Sequence, residues 1–489
     1  MADHKSLNVL INGAGVAGTC LAALLVRQGH AVTVVERWPE LRTTGLQIDL
    51  RSHGIEIIRK MGLDDKFRAR AAKEDGFEFV NAKGKRWAFF PANRAAEAAG
   101  GGRSGADGKS SNKKKQLQSF TSDYEIMRGD LCRLLHDAAE EAASKSAAGS
   151  VQWRFGSEVV GLSEMVGDDG RKAVIATIKH NPGGSSDKTK TTQETFDLVV
   201  GADGVGSKVR RLMTENERAS SRSLSINEDP AFLPYSGDYS GYFTMKRTVP
   251  KNDSVAVAHF WPGSSIMIRG DKDGDRDMVY LGCTSRSGDS PLLKAHTERD
   301  VAGQKAALAE IFKDSSFHRL GEVLQGLRDS DDFYLERLGV VRCERWTSIS
   351  SQGSRGRVAL IGDAGYCPSA KTGMGTTSAV MGAWILAGEI GQAARGSSGK
   401  APATTGAEEN AKLDAALEAY ERKFRPAMNQ VQRGLPETPT WYDGLLETRV
   451  GIAFMYWFLA AAAFFGIDVL SMVVIQEEIK DWELPSYSL

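Results

Sequence analysis

The sequence is poor in cysteine and histidine and carries no net charge, and each shortage excludes a class of protein. Its five cysteines form no Cys-x-x-Cys pair, which argues against a disulfide framework or a cysteine-bound zinc site and favours a reducing compartment. The eight histidines form neither His-Glu-x-x-His nor His-x-His, so we expect no metal site. Because 62 basic residues balance 62 acidic ones, we expect no nucleic-acid partner, whose binding needs a basic surface.

The N-terminus lacks the basic region, long apolar region and small-residue cleavage site of a secretory signal, so we expect a cytoplasmic protein. Near the C-terminus, Val450–Ile467 contains no charged residue and has the length of a membrane-spanning helix. Asp468 and acidic flanking residues argue against a span. The apolar segment 450–475 is therefore either a helix packed within a monomer or homodimer, or a peripheral or C-terminal membrane contact.

Glycine is abundant, with 52 residues, and its placement is informative. Three glycines spaced as Gly-x-Gly-x-x-Gly separate a short apolar run from a helical one: Gly13, Gly15 and Gly18. Strand, turn and helix in this order indicate a βαβ unit that binds a dinucleotide pyrophosphate at the helix N-terminus. Glu36 ends the next strand, Ala31–Glu36, and is placed to bind an unphosphorylated ribose, which favours FAD or NAD. A purely structural glycine turn is the alternative.

A second strand that ends in glycine, alanine and aspartate lies in Asp197–Arg210. It leads through Asp203 and Gly204 into a basic helix start. The pattern leaves two interpretations open: Asp203 belongs to a cofactor site, or it caps the helix that follows.

A third such strand lies in Gly356–Ile390 and ends at Gly362 and Asp363. Asp363 is placed to bind a polyol hydroxyl of a cofactor. The loop then reaches a second glycine pair and a helix start, at Gly373, Gly375 and Thr376. Backbone amides at this helix N-terminus are placed to hold a developing negative charge.

Between these segments, Asp238–Arg286 holds short alternating runs separated by turn residues, which predict an antiparallel sheet. A sheet inserted between α/β segments indicates a second domain that covers a ligand site. Four of its side chains are candidate substrate contacts, with plain sheet packing as the alternative: Tyr242, His259, Trp261 and Met267. A neutral His259 would accept a phenolic proton, and the aromatic side chains favour a bulky, largely apolar substrate.

The three strand-and-glycine motifs, in this order, resemble the FAD-dependent aromatic hydroxylases, the p-hydroxybenzoate hydroxylase-like (group A) flavoprotein monooxygenases, over most of residues 7–430. Two blocks add to the resemblance: Glu36–Leu50 (ERWPELRTTGLQIDL) and Tyr124–Leu135 (YEIMRGDLCRLL). The pattern is most similar to tetracycline-inactivating monooxygenases and fungal natural-product FAD monooxygenases. It implies an α/β fold: a Rossmann-like FAD-binding domain of the glutathione-reductase/p-hydroxybenzoate hydroxylase type, an inserted antiparallel-sheet (α+β) substrate domain and a C-terminal helical region.

This resemblance divides the chain into three parts. The FAD-binding domain takes residues 1–80, 120–225 and 335–395. The substrate-binding sheet domain takes 81–119 and 226–334, with a Gly-, Ser- and Lys-rich flexible insertion at 95–118. The C-terminal helical region is 396–489, with a polar helix over 412–432. We expect a second flexible loop at 181–195, which is similarly polar.

The resemblance also implies roles for the cofactor-binding residues. Around the adenosine and pyrophosphate of FAD lie Gly13, Gly15, Gly18, Glu36 and Arg37, while Arg128 reaches the pyrophosphate or the flavin. Asp203 and Gly204 belong to a motif that contacts FAD and the nicotinamide cofactor. Near the flavin lie Arg42, Asp49, Gly362, Asp363, Gly373, Gly375 and Thr376. Among these, Arg42 also meets the nicotinamide cofactor, Asp363 binds the ribityl chain, and Gly375 and Thr376 lie under the pyrimidine edge.

Three of these residues have plainer interpretations: Arg42 as a surface arginine, Asp49 as a turn residue and Arg128 as an exposed helix charge. The sequence also departs from the family pattern after Asp363, where Ala-Gly-Tyr-Cys-Pro-Ser replaces Ala-His and a double proline, and Gly-Met-Gly replaces Gly-Gln-Gly. Neither change removes a backbone donor, so we still expect FAD binding, with an altered pocket floor. Cys367 in this stretch is a pocket thiol or a buried inert cysteine.

The resemblance implies a monooxygenase with tightly bound FAD, transient NADPH or NADH, and O2. A flavin C4a-hydroperoxide would hydroxylate or epoxidise a bulky, largely apolar, aromatic or polyketide-like small molecule, in secondary metabolism or xenobiotic modification. Baeyer–Villiger insertion stays open, and the residues demand no catalytic base. The alternatives are a flavin-dependent reductase or halogenase of the same fold, although no Trp-x-Trp is present, and a non-catalytic flavin-binding module.

Overall fold

The computed structural model describes residues 6–42, 45–72, 74–91, 124–180, 190–218, 229–247, 255–270, 274–350, 353–395, 405–435, 444–465 and 479–489. The predicted insertion at 95–118, the first part of the predicted loop (181–189) and the end of the apolar segment (466–475) lie outside these ranges.

Strands and helices alternate along the described parts of the chain. The strands are β1 (Asn8–Asn12), β2 (Ala31–Glu36), β3 (Gln47–Asp49), β4 (Gly76–Val80), β5 (Arg86–Pro91), β6 (Glu125–Met127), β7 (Ser150–Phe155), β8 (Ser157–Val166), β9 (Lys172–His180), β10 (Lys190–Phe196), β11 (Leu198–Gly201), β12 (Phe232–Lys246), β13 (Val255–Trp261), β14 (Ser264–Gly270), β15 (Arg276–Thr284), β16 (Tyr334–Val341), β17 (Thr347–Ile349) and β18 (Arg355–Leu360). The helices are α1 (Val16–Arg27), α2 (His53–Lys60), α3 (Asp64–Ala69), α4 (Arg128–Lys145), α5 (Lys208–Arg218), α6 (Pro291–Glu298), α7 (Val301–Phe312), α8 (Leu320–Asp329), α9 (Asp363–Tyr366), α10 (Gly375–Arg395), α11 (Gly406–Val431) and α12 (Arg449–Phe465). This confirms the predicted α/β fold class.

A six-stranded sheet, the parallel sheet, has the strand order β17-β18-β11-β1-β2-β7 and is parallel except for β17. Its inner strands are short apolar runs buried on both faces, as a helix-covered parallel sheet requires. Because parallel strands share their direction, β1, β2, β11 and β18 all end at one edge. The predicted motifs follow these four strands, so the fold collects them at that edge.

A seven-stranded sheet, the antiparallel sheet, has the order β16-β12-β15-β14-β13-β4-β5, and only its β4–β13 pair is parallel. The antiparallel strands predicted within 238–286 are thereby confirmed. The sheet also takes in Gly76–Val80 and Tyr334–Val341, at the ends of segments that we assigned from sequence to the other domain. One face packs against α6, α7 and α8 through a core of aliphatic and aromatic side chains.

The other face of the antiparallel sheet carries a row of directly paired residues. Across the strands this row runs Tyr334, Tyr242, Tyr280, Met267, Ala258, Phe79 and Ala88. The C-terminal helix α12 covers the end with small side chains. At the other end of the row, Tyr334 lies against Arg42, which is described below.

Two smaller sheets complete the strands. A two-stranded sheet of β3 and β6, the ribbon, pairs Gln47 with Met127 and Asp49 with Glu125. β8, β9 and β10 form a three-stranded antiparallel sheet. The loop predicted at 181–195 is wrong for its last part, because Lys190–Phe196 is strand β10. Its threonines suit an extended backbone. Pairing with β9 satisfies the backbone hydrogen-bonding groups of this polar segment, which cannot form a core of its own.

The C-terminal region confirms the polar helix predicted over 412–432 as α11. One side of α12 packs on the antiparallel sheet through Ile452, Tyr456 and Leu459. The opposite side is exposed, with the exposed fractions Val450 82%, Phe454 53%, Trp457 65%, Phe464 84% and Phe465 71%. Among the helices within the described ranges, none has both the length and the apolar character needed to cross a bilayer.

The final residues return to the parallel-sheet domain. Trp482 Nε1 donates a hydrogen bond to the Lys423 carbonyl oxygen at 2.9 Å, and Trp384 Nε1 donates to the Pro485 carbonyl oxygen at 3.0 Å. Leu484 is buried in the main core. The tail is thus packed between α10 and α11.

Candidate active site

The glycine turn after β1 makes backbone contacts that only glycine permits at two of its positions. Gly13 has a φ of +115°, and a β-carbon there would lie 2.4 Å from the Ala202 carbonyl oxygen. A β-carbon on Gly18 would lie 2.0 Å from the Gly13 carbonyl oxygen, so α1 packs closely only without a side chain. At Gly15 the β-carbon position meets Arg128 Nη2 at 3.8 Å. A side chain at this middle position would therefore touch a cation without a clash.

Glu36, at the end of β2, braces the glycine turn. One carboxylate oxygen accepts a hydrogen bond from the Ala14 amide at 2.9 Å, and the other accepts one from the Trp38 amide at 3.0 Å. A carboxylate has about four acceptor sites, so Glu36 keeps capacity for ribose hydroxyls. Arg37, the next residue, is exposed.

Asp203 ties the second motif to the first. Its carboxylate accepts hydrogen bonds from Asn12 Nδ2 at 2.9 Å, Ser207 Oγ at 2.6 Å and the Lys208 amide at 2.7 Å. These contacts cap α5 and join β1 to β11, so they match the capping interpretation of Asp203. Gly204 beside it has a φ of +79°, and its β-carbon position has no described atom within 4 Å.

Asp363 lies where β18 turns into α9. Gly362 before it has a φ of +60°, in the left-handed region that favours glycine. The Cys367 thiol donates a hydrogen bond to the Asp363 carboxyl. Burial raises the pKa of Asp363, opposed by this hydrogen bond and by the positive charge of Arg128. Burial also raises the pKa of Cys367 well above its usual range, so this thiol stays protonated, and its side chain belongs to the main buried core.

The N-terminus of α10 borders open space. Gly373 has a φ of +63° at the end of the preceding loop, and the β-carbon position of Gly375 has no described atom within 4 Å. Thr376 is half-buried, and Thr377 Oγ1 accepts a hydrogen bond from the Arg51 amide at 2.9 Å. The dipole of this helix favours negative charge at that end.

Arg42 and Arg128 place two cations beside the glycine turn. The Arg42 guanidinium carbon lies 5.3 Å from the ring centroid of Trp38 and 5.3 Å from that of Tyr334. Arg128 begins α4, and its amide donates to the Leu46 carbonyl oxygen at 2.8 Å. Burial lowers the pKa of Arg42, and the positive charge of Arg128 lowers it further. Two cations at close quarters favour an anionic ligand between them.

A cavity open to solvent lies between these arginines and the antiparallel sheet, lined in part by Arg42, Arg128, Tyr242 and Tyr334. The Tyr242 ring stacks on Tyr334 at a centroid distance of 5.7 Å and packs edge-on against Tyr280 at 5.5 Å. We call these three tyrosines the tyrosine wall. Aromatic rings beside two cations suit an aromatic ligand that carries a partly negative oxygen.

Sequence reasoning missed two residues of β16: Tyr334, which belongs to the tyrosine wall, and Glu336 beside it. The Tyr334 hydroxyl donates a hydrogen bond to Glu336. Burial raises the pKa of Glu336 to about 7, and the nearby Asp363 carboxyl adds to the shift while Arg128 opposes it. In the sequence YLERLGVV, Tyr334 and Glu336 alternate with the buried Leu335. That alternation was the available signal that both side chains share a face.

Comparison with known proteins agrees with this arrangement. The model of the FAD binding domain family matches residues 6–419. The FAD-dependent monooxygenase asL4 of Sarocladium schorii is 36% identical over 488 residues, which covers 98% of this chain and 98% of that protein. The chain belongs to the FAD-dependent monooxygenases.

Two further relatives support the same family. The flavin-dependent monooxygenase eupH of Phoma sp is 34% identical to this monooxygenase over 427 residues, covering 86% of this chain and 84% of that protein. The solved structure of the tetracycline destructase Tet(51) superposes with a TM-score of 0.67 at 23% identity, covering 99% of this chain and 100% of the other. At that identity the likeness concerns the fold.

The residues of this monooxygenase fit FAD. Gly204 and Gly375 leave open space where a side chain would intrude, and Gly15 lies in van der Waals range of Arg128. All three follow strands that end at one sheet edge. Arg128 supplies positive charge beside the glycine turn for a pyrophosphate. Asp363, at the same edge, offers a buried carboxyl for a polyol chain.

Two of the predicted substrate contacts, Met267 and His259, lie on opposite faces of the antiparallel sheet. Met267 stands in the same row as Tyr242, on the face toward the cavity. His259 alternates with that row: its Nδ1 lies 3.0 Å from the Val80 carbonyl oxygen, and its ring stacks on Phe317. Burial lowers the pKa of His259, so the imidazole is a neutral part of the core.

Trp261 and Asp49 also lie away from the tyrosine wall. The Trp261 ring is 5.2 Å from the guanidinium carbon of Arg449, at the start of α12. Asp49 accepts a hydrogen bond from Arg51 Nε at 2.6 Å within an ion pair. The Arg51 backbone amide donates a hydrogen bond to Thr377 Oγ1 at 2.9 Å, near the start of α10.

Proposed function

We propose that this monooxygenase takes electrons from NADPH or NADH and uses O2 to insert one oxygen atom into a bulky, largely apolar small molecule with an aromatic or polyketide-like ring. The supporting observation is the cavity that Arg42, Arg128, Tyr242 and Tyr334 line together. Its position beside the FAD cradle suits a substrate that meets the flavin edge, and hydroxylation or epoxidation would both use this geometry.

Each part of the site has a task in this proposal. When bound, FAD supplies hydride acceptance and oxygen activation. The Gly15 backbone and Arg128 hold its pyrophosphate, and Asp363 accepts hydrogen bonds from its ribityl hydroxyls. The α10 N-terminus stabilises negative charge at the pyrimidine edge. The tyrosine wall excludes water from the reacting face and orients the substrate ring.

The nicotinamide cofactor would bind transiently. Arg42 lies beside the cavity with one face on Trp38, and a half-buried cation at that position favours the phosphates of NADPH or NADH. A flavin-dependent reductase or halogenase of this fold, or a flavin-binding module without turnover, would share the FAD cradle, so the reaction itself must be measured.

The decisive experiment is a substrate screen with purified protein. We expect a yellow protein whose NADPH or NADH oxidation is stimulated by a ring-containing apolar compound. The product should be heavier than that compound by the mass of one oxygen atom. A protein that stays colourless with added FAD contradicts the cofactor assignment. A halogenated or reduced product contradicts oxygen insertion. Oxidation of NADPH or NADH that no compound stimulates favours the flavin-binding module without turnover.

We also propose that the enzyme works against a membrane surface. The exposed side of α12 presents Phe454, Trp457, Phe464 and Phe465 to solvent, and the helix has no charged residue after Arg449. Aromatic side chains of this kind settle at the boundary between headgroups and acyl chains. Co-flotation of the holoenzyme with phosphatidylcholine vesicles is the expected result, whereas a stable dimer without flotation would assign this face to a second copy.

A further inference from the structure

A cluster of buried charges joins the ribbon to the antiparallel sheet. Arg269 on β14 lies with its Nε 3.5 Å from Glu74 Oε1 and its Nη1 3.9 Å from Glu125 Oε2. The exposed fractions of these side chains are 12% for Arg269, 2% for Glu74 and 7% for Glu125. Charges buried this deeply cost several kcal/mol each unless they are paired, so the three groups depend on one another.

Gln47 makes a second link at the same junction. Its backbone amide donates a hydrogen bond to Tyr280 Oη at 3.1 Å, and its side-chain Nε2 donates to Glu125 Oε2 at 2.5 Å. The guanidinium carbon of Arg269 lies 6.0 Å from the Tyr280 ring centroid. One junction therefore touches both the ribbon and the tyrosine wall.

The ribbon carries the cation that faces the FAD cradle. Arg128 directly follows β6, and its amide is held by the Leu46 carbonyl oxygen next to β3. The β-carbon position of Gly45 lies 3.4 Å from Arg128 Cβ, so the arginine stem is packed against the ribbon. A movement of the ribbon would change the distance between the Arg128 guanidinium and Gly15.

We propose that Glu125 and Arg269 are positioning residues for FAD binding, which hold the ribbon against the antiparallel sheet so that Arg128 faces the glycine turn. The proposal rests on FAD binding at the cradle and not on the proposed reaction. Neither residue contacts the cradle in the described structure. They act through Arg128 and through the ribbon to which it is fixed.

The charge balance of the cluster gives the proposal a pH signature. Burial raises the pKa of Glu125 to about 8, with Glu74 and Asp49 adding to the shift and Arg269 and Gln47 opposing it. Glu125 is therefore mainly protonated at neutral pH. Because burial dominates this shift, the closed junction favours the protonated acid, so the junction weakens as the pH rises from the ordinary pKa of 4.5 toward about 8. The other charged group at this place, Arg51, is paired with Asp49.

The test measures the FAD dissociation constant of the full chain by flavin fluorescence, from about pH 5 to about pH 8. The variants are Arg269→Met and Glu125→Gln, and the controls are the exposed Arg276→Met and Glu310→Gln. We expect Arg269→Met to weaken FAD binding by about tenfold or more, because the loss of one partner from a buried pair destabilises the junction that places Arg128. Glu125→Gln should bind FAD as the wild type does at the low end of this pH range and should lose the alkaline weakening, the fall in affinity as the pH rises, that the wild type and both controls retain.

Two results would overturn the proposal: wild-type FAD affinity in Arg269→Met, or an unchanged alkaline weakening in Glu125→Gln. If Arg269→Met fails to fold, as circular dichroism would reveal, Glu125→Gln decides the question, because it preserves the shape and the neutral charge of the protonated acid. Absence of FAD binding in the wild type itself would instead reject the FAD assignment, and this outcome is separate from the other two.

Discussion

Arg128 lies against Gly15: its Nη2 is 3.8 Å from the point that a β-carbon on Gly15 would occupy. The glycine comes from the turn after β1, and the arginine comes from the start of α4, more than a hundred residues later. A glycine backbone at a helix start and a guanidinium beside it are suited to binding a diphosphate.

The two glycines of this turn should respond differently to alanine. Gly13→Ala forces a side chain into a left-handed backbone 2.4 Å from the Ala202 carbonyl oxygen, so we expect a loss of at least about 2 kcal/mol of unfolding free energy. Gly15→Ala meets no such clash and should fold with its melting temperature nearly unchanged. Its FAD affinity should fall instead. Thermal unfolding of the FAD-free proteins separates the two, and equal melting temperatures would contradict this contrast.

Arg128→Met should weaken FAD binding by about tenfold or more, because it removes a charged donor from the pyrophosphate side of the cradle. The methionine keeps the stem that packs on Gly45, so the fold should be retained. Titration of the FAD-free protein with FAD gives the affinity. Arg422→Met, on the exposed side of α11, is the matched control and should bind FAD normally.

Asp363→Ala should lose flavin, since its carboxyl is the buried acceptor at the cofactor edge. Asp363→Asn keeps the size of the side chain and one acceptor oxygen, and we expect partial occupancy. The ratio of flavin absorbance to protein absorbance after purification measures both. Full occupancy in Asp363→Ala would contradict the ribityl assignment.

Glu336 should make the FAD-free protein less stable as the pH rises. Its pKa is raised from 4.5 to about 7 in the folded state, so between these values the folded protein binds the proton that the unfolded chain releases. The free energy of unfolding from this group therefore falls as pH rises toward about 7. Glu336→Gln should flatten that part of the pH dependence of the melting temperature, whereas the exposed Glu310→Gln should leave it as in the wild type.

Trp457→Ser combined with Phe454→Ser should reduce vesicle flotation without affecting FAD content. Both side chains are on the exposed side of α12, at 65% and 53% exposure, so the fold loses little packing. Leu459→Ser is the contrasting variant: its side chain is buried against the antiparallel sheet, and we expect it to lower the melting temperature. Undiminished flotation of the double variant would remove α12 from the membrane proposal.

The meeting of the three strand-and-glycine motifs at one sheet edge could be predicted from the sequence, because local pattern controls where each strand ends. Gly13, Glu36 and Gly362 follow buried apolar strands, and in a parallel sheet the end of such a strand has one location. Asp203 shows the limit of that reasoning, since a capping bond and a cofactor contact leave the same sequence pattern. Its bonds to Asn12 and Ser207 became visible only in three dimensions.

The substrate side was harder to predict because it depends on pairing between distant strands. His259 and Met267 looked equivalent along the sequence, yet the register between β13 and β14 places them in different rows. Tyr334 reaches the cavity, with Glu336 on the same face of its strand, only because β16 pairs with β12. A shift of one residue in that pairing would turn both side chains away, and sequence periodicity does not specify the register between strands far apart in the chain.

The packing of the tail has a consequence for how the enzyme is made. β1 and the glycine turn are synthesised long before Leu484 and the Pro485 carbonyl, which complete the core around α10. Since the N-terminus of α10 forms part of the cofactor edge, that edge gains its full support only after residues 479–489 have been made. We therefore expect deletion of residues 479–489 to lower the yield of FAD-bound protein.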